Sequence, residues 1–231
     1  SNGVEIHEVC TVDNATVKGG GTWVETHRVF NGGSRTGGLT NYTEIGQNGI
    51  KFVGTSTQWD DLLGDITRAK TVGSRVTLND VENTMDFTNT AALTDYIFLN
   101  YQIPHGWKVG SVVYPHIHWE QELATVPNWM IQYRWQIQGG AKTTAWTNYK
   151  MNTPAFSYTS GVLNQICNGS GITPPNGAGI SDILEVRIIR DNANATGIFA
   201  GANVYNATAR VTSVDIHVEK DTIGSNDEYT K

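Results

Sequence analysis

A strict two-residue alternation in four stretches limits this chain to a β architecture. From Val112 to Leu123, Val113, Pro115, Ile117 and Trp119 share one parity, and Tyr114, His116, His118 and Glu120 share the other. From Asn128 to Gln138, Trp129, Ile131, Tyr133, Trp135 and Ile137 alternate with Met130, Gln132, Arg134, Gln136 and Gln138. Leu184, Val186 and Ile188 alternate with Glu185 and Arg187, with Arg190 counted on the polar side; Val214, Ile216 and Val218 alternate with Asp215, His217 and Glu219. A strand sends successive side chains to opposite faces, so each stretch has one dry and one wetter face. No stripe of helical period accompanies them.

The remaining punctuation fits this pattern. Asp95 to Ile103 is mostly apolar and aromatic, as in a core strand, and Pro104 ends it because proline cannot donate to a ladder. His105–Gly110 is a turn, and Gly139-Gly140 is placed to turn a hairpin into Thr143–Lys150. Residues 168–179 and 191–201 are loops. Trp59 to Leu63 reads as a brief helical turn or a loop capped by Asp60 and Asp61. The expected architecture is all-β, an antiparallel sandwich of jelly-roll type. It divides into a Gly-rich arm or set of hairpins at 1–49, a sandwich domain at 50–220 and a polar tail at 221–231. Gly19–Gly21, Gly32-Gly33 and Gly37-Gly38 are the reason for separating the arm.

Composition excludes several classes. The 231 residues suffice for a sizeable core. Only 16% are charged, 10% are aromatic and the formal net charge is -6, which speaks against a disordered chain and against a general nucleic-acid binder. No apolar run approaches the roughly 20 residues that span a bilayer, so no membrane partner is expected. Ser1 to Thr11 lacks the basic-then-apolar order of a secretory signal. The two cysteines, Cys10 and Cys167, leave their pairing open.

The one grouping with catalytic spacing is Gly110, His116, His118 and Glu122. The last three share a parity, and two imidazoles with a carboxylate on one face can bind a transition metal. The spacing resembles the first metal motif of the cupin family, in which His116, His118 and Glu122 would be ligands and the later His217 would complete the set. Trp129 stands where that motif continues to a glycine, and Ala209 to Val214 lacks the Gly and Pro residues of the second motif. The plainer reading makes the histidines two polar residues of the wetter face, or residues hydrogen-bonded inside an interface, with no metal and no cofactor. Asp60, Asp61 and Asp65 lack EF-hand spacing. Asp215, His217 and Glu219 could form a proton relay, but a hydrated outer face explains them more simply. Among the tryptophans, Trp129 and Trp135 lie on the apolar parity, which leaves Trp107, in a turn, as the exposed aromatic that could stack on a sugar.

Three passages carry a resemblance. They are Trp59-Asp60-Asp61-Leu62; Pro104 to Ser111 running into Pro115-His116-Ile117-His118-Trp119; and Asp221 to Lys231 with its Gly-Ser-x-x-Glu-Tyr-x-Lys pattern. In this order they resemble a group of tailed-bacteriophage virion structural proteins of about this length. The resemblance implies a capsid decoration (cement) protein on the capsid exterior, without enzymatic activity, homotrimeric and partnered by the major capsid protein. In that group the Pro-His-x-His-Trp pattern belongs to the scaffold. Pro115 then calls for a bulge or an edge at that point. A cupin-like metal-dependent enzyme and a carbohydrate-binding tail or fibre module are the alternatives.

Overall fold

The computed structural model describes residues 27–30, 41–46, 49–151, 159–167, 170–199 and 205–224, with side chains at all of these except 27–30 and 165–167. Most of the Gly-rich arm, Cys10 and the last seven residues lie outside them. In chain order the strands are β1 (His27–Phe30), β2 (Tyr42–Gly46), β3 (Gly49–Val53), β4 (Gln58–Gly64), β5 (Lys70–Val72), β6 (Val76–Asn79) and β7 (Thr84–Phe87). They continue with β8 (Tyr96–Gln102), β9 (Tyr114–Gln121), β10 (Trp129–Gln136), β11 (Thr147–Lys150), β12 (Leu163–Cys167), β13 (Ile183–Arg190) and β14 (Ala209–Lys220). Helical structure among the described residues is a single 3-10 turn, Ile66–Arg68, and none of it is long and apolar enough to cross a membrane.

Every described pairing of strands is antiparallel. One sheet has the order β11-β10-β13-β8-β5; the other has the order β12-β9-β14-β7-β6, with β4 on the second half of β14. From β7 to β14 the chain distributes itself as β7-β14-β9-β12 in one layer and β8-β13-β10-β11 in the other. That order is a jelly roll, so the expected fold class is the observed one. The described part of the arm, β1 and β2, joins β3 in a separate three-stranded sheet, β1-β2-β3. Its last strand is tied to residues that follow β14: Phe52 N donates to Asp221 O at 2.5 Å and Ile223 N to Ile50 O at 3.3 Å.

The core fills the space between the layers with the apolar parities read from the sequence. Ile117, Trp119, Trp129, Ile131, Val186, Ile188, Val214 and Ile216 are fully buried. Trp129 is met edge-on by Phe87, with ring centroids 5.2 Å apart, and by Trp119 at 6.3 Å. β14 needs one correction of phase to serve this core along its whole length. Ala209 and Val211 point inward on odd numbers, whereas Val214, Ile216 and Val218 point inward on even ones. The pairing with β9 slips between Val211 and Ser213, and this β-bulge supplies the extra residue. Thr212 secures it by donating its hydroxyl to His118 O at 3.1 Å.

Three expectations are corrected here. Trp59 to Leu63 is strand, not a helical turn, because β14 offers it a partner edge from Val214 to Lys220. Gly64 ends β4 where a Cβ would collide with the Tyr101 hydroxyl and lie 2.9 Å from Val214 O. The bulge lies at Thr212 on β14 and not at Pro115. Pro115 instead occupies the gap on β9 between the β12 ladder, which ends at the His116–Cys167 pair, and the Val113–Ile172 bridge. A missing N–H costs little there.

The third correction concerns Arg190, which has the even parity of Leu184 and is fully buried. Its Nη1 donates to the carbonyls of Phe87 (3.0 Å), Thr88 (2.8 Å) and Ala207 (2.7 Å), and its Nη2 donates to Tyr205 O. The guanidinium lies 4.7 Å from the centre of the Tyr205 ring. Burial lowers its pKa to about 10, so it stays charged at neutral pH and is neutralised by carbonyl dipoles. Arg190→Met should leave those carbonyls unsatisfied and cost about 3 kcal/mol. Urea denaturation checks this, and a loss below about 1 kcal/mol would contradict the role.

Candidate functional site

The outer face of the β4-β14-β9 layer gathers a cluster of titratable side chains. β14 pairs Asp215 with His116 on one side, and pairs His217 with Asp61 of β4 on the other. His118, two residues along β9, joins from the same face. The bulge sets the phase that turns Asp215 and His217 outward, and Thr212 and Ser213 help to line the cleft. The cleft holds about 350 Å³, with Leu63 and Leu163 at its sides.

Asp215 is the centre of the cluster. It is 4% exposed, and its two carboxylate oxygens accept from different rings. Oδ2 takes the His116 Nδ1–H at 3.1 Å and Oδ1 takes the His118 Nε2–H at 2.8 Å. Burial pushes the Asp215 carboxyl up; the hydrogen bonds and charges of His116 and His118 outweigh it and hold the group below the usual carboxylate range. His217 Nε2 contacts Asp61 Oδ1 and lies 3.9 Å from Asp215 Oδ2. Partial burial lowers the His217 pKa, which favours a neutral ring. The His116 and His217 rings stand 4.1 Å apart at 70°. One ligand atom each from His116, Asp215 and His217 falls within 4.8 Å of the others.

Of the four residues with metal-ligand spacing, the fold therefore joins His116, His118 and His217 and leaves out Glu122. Glu122 shares the parity of His116 and His118, but six residues of strand put it about 20 Å from His116. It lies beyond the end of β9 and binds Arg210 Nη2 through Oε1 at 2.7 Å. Asp215 occupies the place that spacing gave to Glu122. Its apolar neighbours Val214 and Ile216 made it look like an ordinary hydrated position. Glu219 stands apart as well, bound to Thr57 Oγ1 at 2.6 Å and Lys108 Nζ at 2.9 Å, so Asp215, His217 and Glu219 form no continuous relay.

Trp107 is also corrected. It is fully buried, with its ring 6.1 Å from Trp135. The turn folds inward because Trp107 bridges to Lys220, Lys108 N donates to Glu219 O, and Asp221 N donates to Gly106 O. Trp59 is the exposed tryptophan on this side, 56% accessible, with its ring 5.6 Å from Tyr114 and 6.5 Å from His217.

The opposite layer presents a different surface. Gln136 and Thr143 exchange hydrogen bonds of 2.9 and 3.0 Å, and Arg134 Nη1 donates to Thr144 O at 3.2 Å. These bonds pin the β10–β11 connection across the sheet and lay Trp146 over Arg187 and Arg134, whose guanidinium carbons are 3.8 and 4.3 Å from its ring centre. Tyr96, Phe98, Gln132 and Asn148 complete the face. Burial raises the Glu185 carboxyl, but hydrogen bonds from Arg134 and Gln136 and the charges of Arg134 and Lys142 outweigh it, so the pKa lies below the ordinary value. A lowered folded pKa stabilises fully above the unfolded value, and that contribution disappears as pH falls through the folded one. Glu185→Gln should therefore flatten the acid side of the stability–pH curve, with a difference of about 1 kcal/mol or less at neutral pH. Denaturant midpoints measured from pH 7 to pH 3 check this.

No protein-family model matches the chain, and no curated protein matches it. Several solved structures align with part of the chain. The carbohydrate-binding and catalytic modules of xylanase 10B from Clostridium thermocellum align with 68% of this chain and 28% of their own, at 10% identity and a TM-score of 0.40. The xylan-binding module CBM15 aligns over 72% and 94%, at 12% identity and 0.37. The enzymatically active domain of tailspike protein 4 of bacteriophage CBA120 aligns over 70% and 19%, at 10% identity and 0.31. The chain thus spans little more than a quarter of the xylanase structure.

Proposed function

We propose that this chain is a structural protein of the tailed-bacteriophage particle, a capsid decoration protein that works by binding the major capsid protein and further copies of itself, without turnover. One observation carries the reading. The three passages that resemble that group are distant in sequence, and the fold gathers their described residues around β14. Trp59 to Leu62 and Pro115 to Trp119 flank it on either side, the Pro104 to Ser111 turn closes on its last residues, and Asp221 follows it. The outward side of this region exposes Trp59, Leu63 (76%) and Leu163 (61%), with Val109 (52%) near the rim. Large apolar side chains gathered on one rigid sheet face suit a protein–protein interface better than a free surface.

The protein should co-purify with particles as a trimer, and particles without it should open at lower temperature. A Trp59→Ala/Leu63→Asp variant, altered only at exposed positions, should fold normally and bind particles at least about tenfold more weakly. Absence of the protein from purified particles would overturn the function; undiminished binding by the variant would overturn the assignment of this face.

A second reading rests on the other layer. Trp146, held flat by two arginines beside Tyr96, Gln132 and Asn148, offers a stacking surface with amide hydrogen bonds around it, the chemistry by which proteins hold sugar rings. On this reading the chain is a carbohydrate-binding module of a tail or fibre. A glycan array should then give hits that Trp146→Ala abolishes, and an array blank at high protein concentration would exclude it.

A further inference from the structure

The geometry points to a binding site for one divalent first-row transition cation, such as Zn²⁺, on the outer face of the β4-β14-β9 layer, with His116, Asp215 and His217 as its protein ligands. This inference does not rest on the assembly reading, which needs no ion, although Leu63 and Leu163 of that apolar surface also line the cleft. The three side chains come from two adjacent strands in fixed register: Asp215 is directly opposite His116, and His217 is two residues from Asp215 on the same face. Their ligand atoms already lie within 4.8 Å of one another. Tetrahedral coordination with bonds of about 2.0–2.1 Å needs ligand atoms about 3.4 Å apart. Rotation of His217, whose side chain is 36% exposed at the cleft, can close the difference.

The surroundings are those a metal site uses. His118 holds the far oxygen of Asp215 at 2.8 Å, which leaves Oδ2 directed toward His116 and His217. Such outer partners orient a ligating carboxylate and set its affinity. Asp61, in contact with His217, stands at the rim where a fourth donor or a water would enter. Two imidazoles with a carboxylate select Zn²⁺, Co²⁺, Ni²⁺ or Cu²⁺ over Mg²⁺ or Ca²⁺, which prefer oxygen donors throughout. Each N–H···O contact that becomes a nitrogen–metal bond releases its proton to solvent, so binding is proton-coupled and involves no redox change.

The full-length chain, stripped of metal with a chelator, should be titrated with Zn²⁺ by calorimetry and with Co²⁺ by visible absorption. The expected result is one ion per chain, with d–d bands of a four- or five-coordinate Co²⁺ centre. His217→Ala should weaken binding at least about tenfold and bleach those bands, and Mg²⁺ should not compete. His105→Ala, whose ring bonds to Ser181 away from the cleft, should bind as the parent does. No saturable uptake, or equal affinity in His217→Ala, would overturn the inference. If His217→Ala fails to fold, the Co²⁺ spectrum of the parent decides: an octahedral, water-like spectrum counts against the site.

Discussion

The fold depends on β14 presenting two chemistries from one strand. Over twelve residues it must keep Ala209, Val211, Val214, Ile216 and Val218 against the core, and it must do so beside three other strands. A strict period of two cannot satisfy that list, because the inward numbers change from odd to even. The bulge at Thr212 resolves the conflict and in doing so decides what lies outside. Without it Asp215 and His217 would face the hydrocarbon interior and Val214 and Ile216 would face water. The core and the polar cleft are therefore two results of the same extra residue.

A carboxylate as buried as Asp215 must be neutralised locally or lose its charge. Two imidazole N–H groups provide that, one for each oxygen, and they sit on the neighbouring strand at positions locked by the ladder. The arrangement accounts for the histidines of the Pro-His-x-His-Trp pattern in architectural terms, since they hold the buried carboxylate that the bulge turns outward. The same fixed register places His217 across the cleft. Arg190 solves the opposite problem on the other layer with carbonyls instead of a counter-ion, and it joins β13 to the end of β7 and the start of β14.

Much of this was legible in the chain. The alternations of residues 112–138, 184–188 and 214–218 gave the correct inward faces, the buried Trp129 and Trp135, and the sandwich itself. What was not legible depends on partners distant in sequence. Trp59 to Leu63 carries Asp60, Asp61 and no clean alternation, and it becomes a strand only because β14 has a free edge. Trp107 lies between turn residues, but the end of β14 draws that turn inward. Glu122 has the right parity and the wrong distance, since spacing along one strand counts residues and a shared site needs neighbouring strands. Asp215 was visible only as one polar position in an alternating run; its burial required knowing that two histidines face it.

Both outward faces are built mainly on strands, with Trp146 of the opposite face supplied by the pinned β10–β11 connection, and this bears on how either could be used. Side chains on a hydrogen-bonded sheet are held before any partner arrives, so little ordering cost remains to be met on binding. The β4-β14-β9 face combines exposed Trp59, Leu63 and Leu163 with a satisfied polar centre, which lets apolar contacts form around it without stranding a charge. The opposite face keeps its arginines covered by Trp146 and its amides paired, and it offers flat, directional contacts suited to a polar ligand. A single sandwich thus carries two outward surfaces of different character, one with exposed apolar side chains around a polar cluster and one with Trp146 stacked on arginines beside amides.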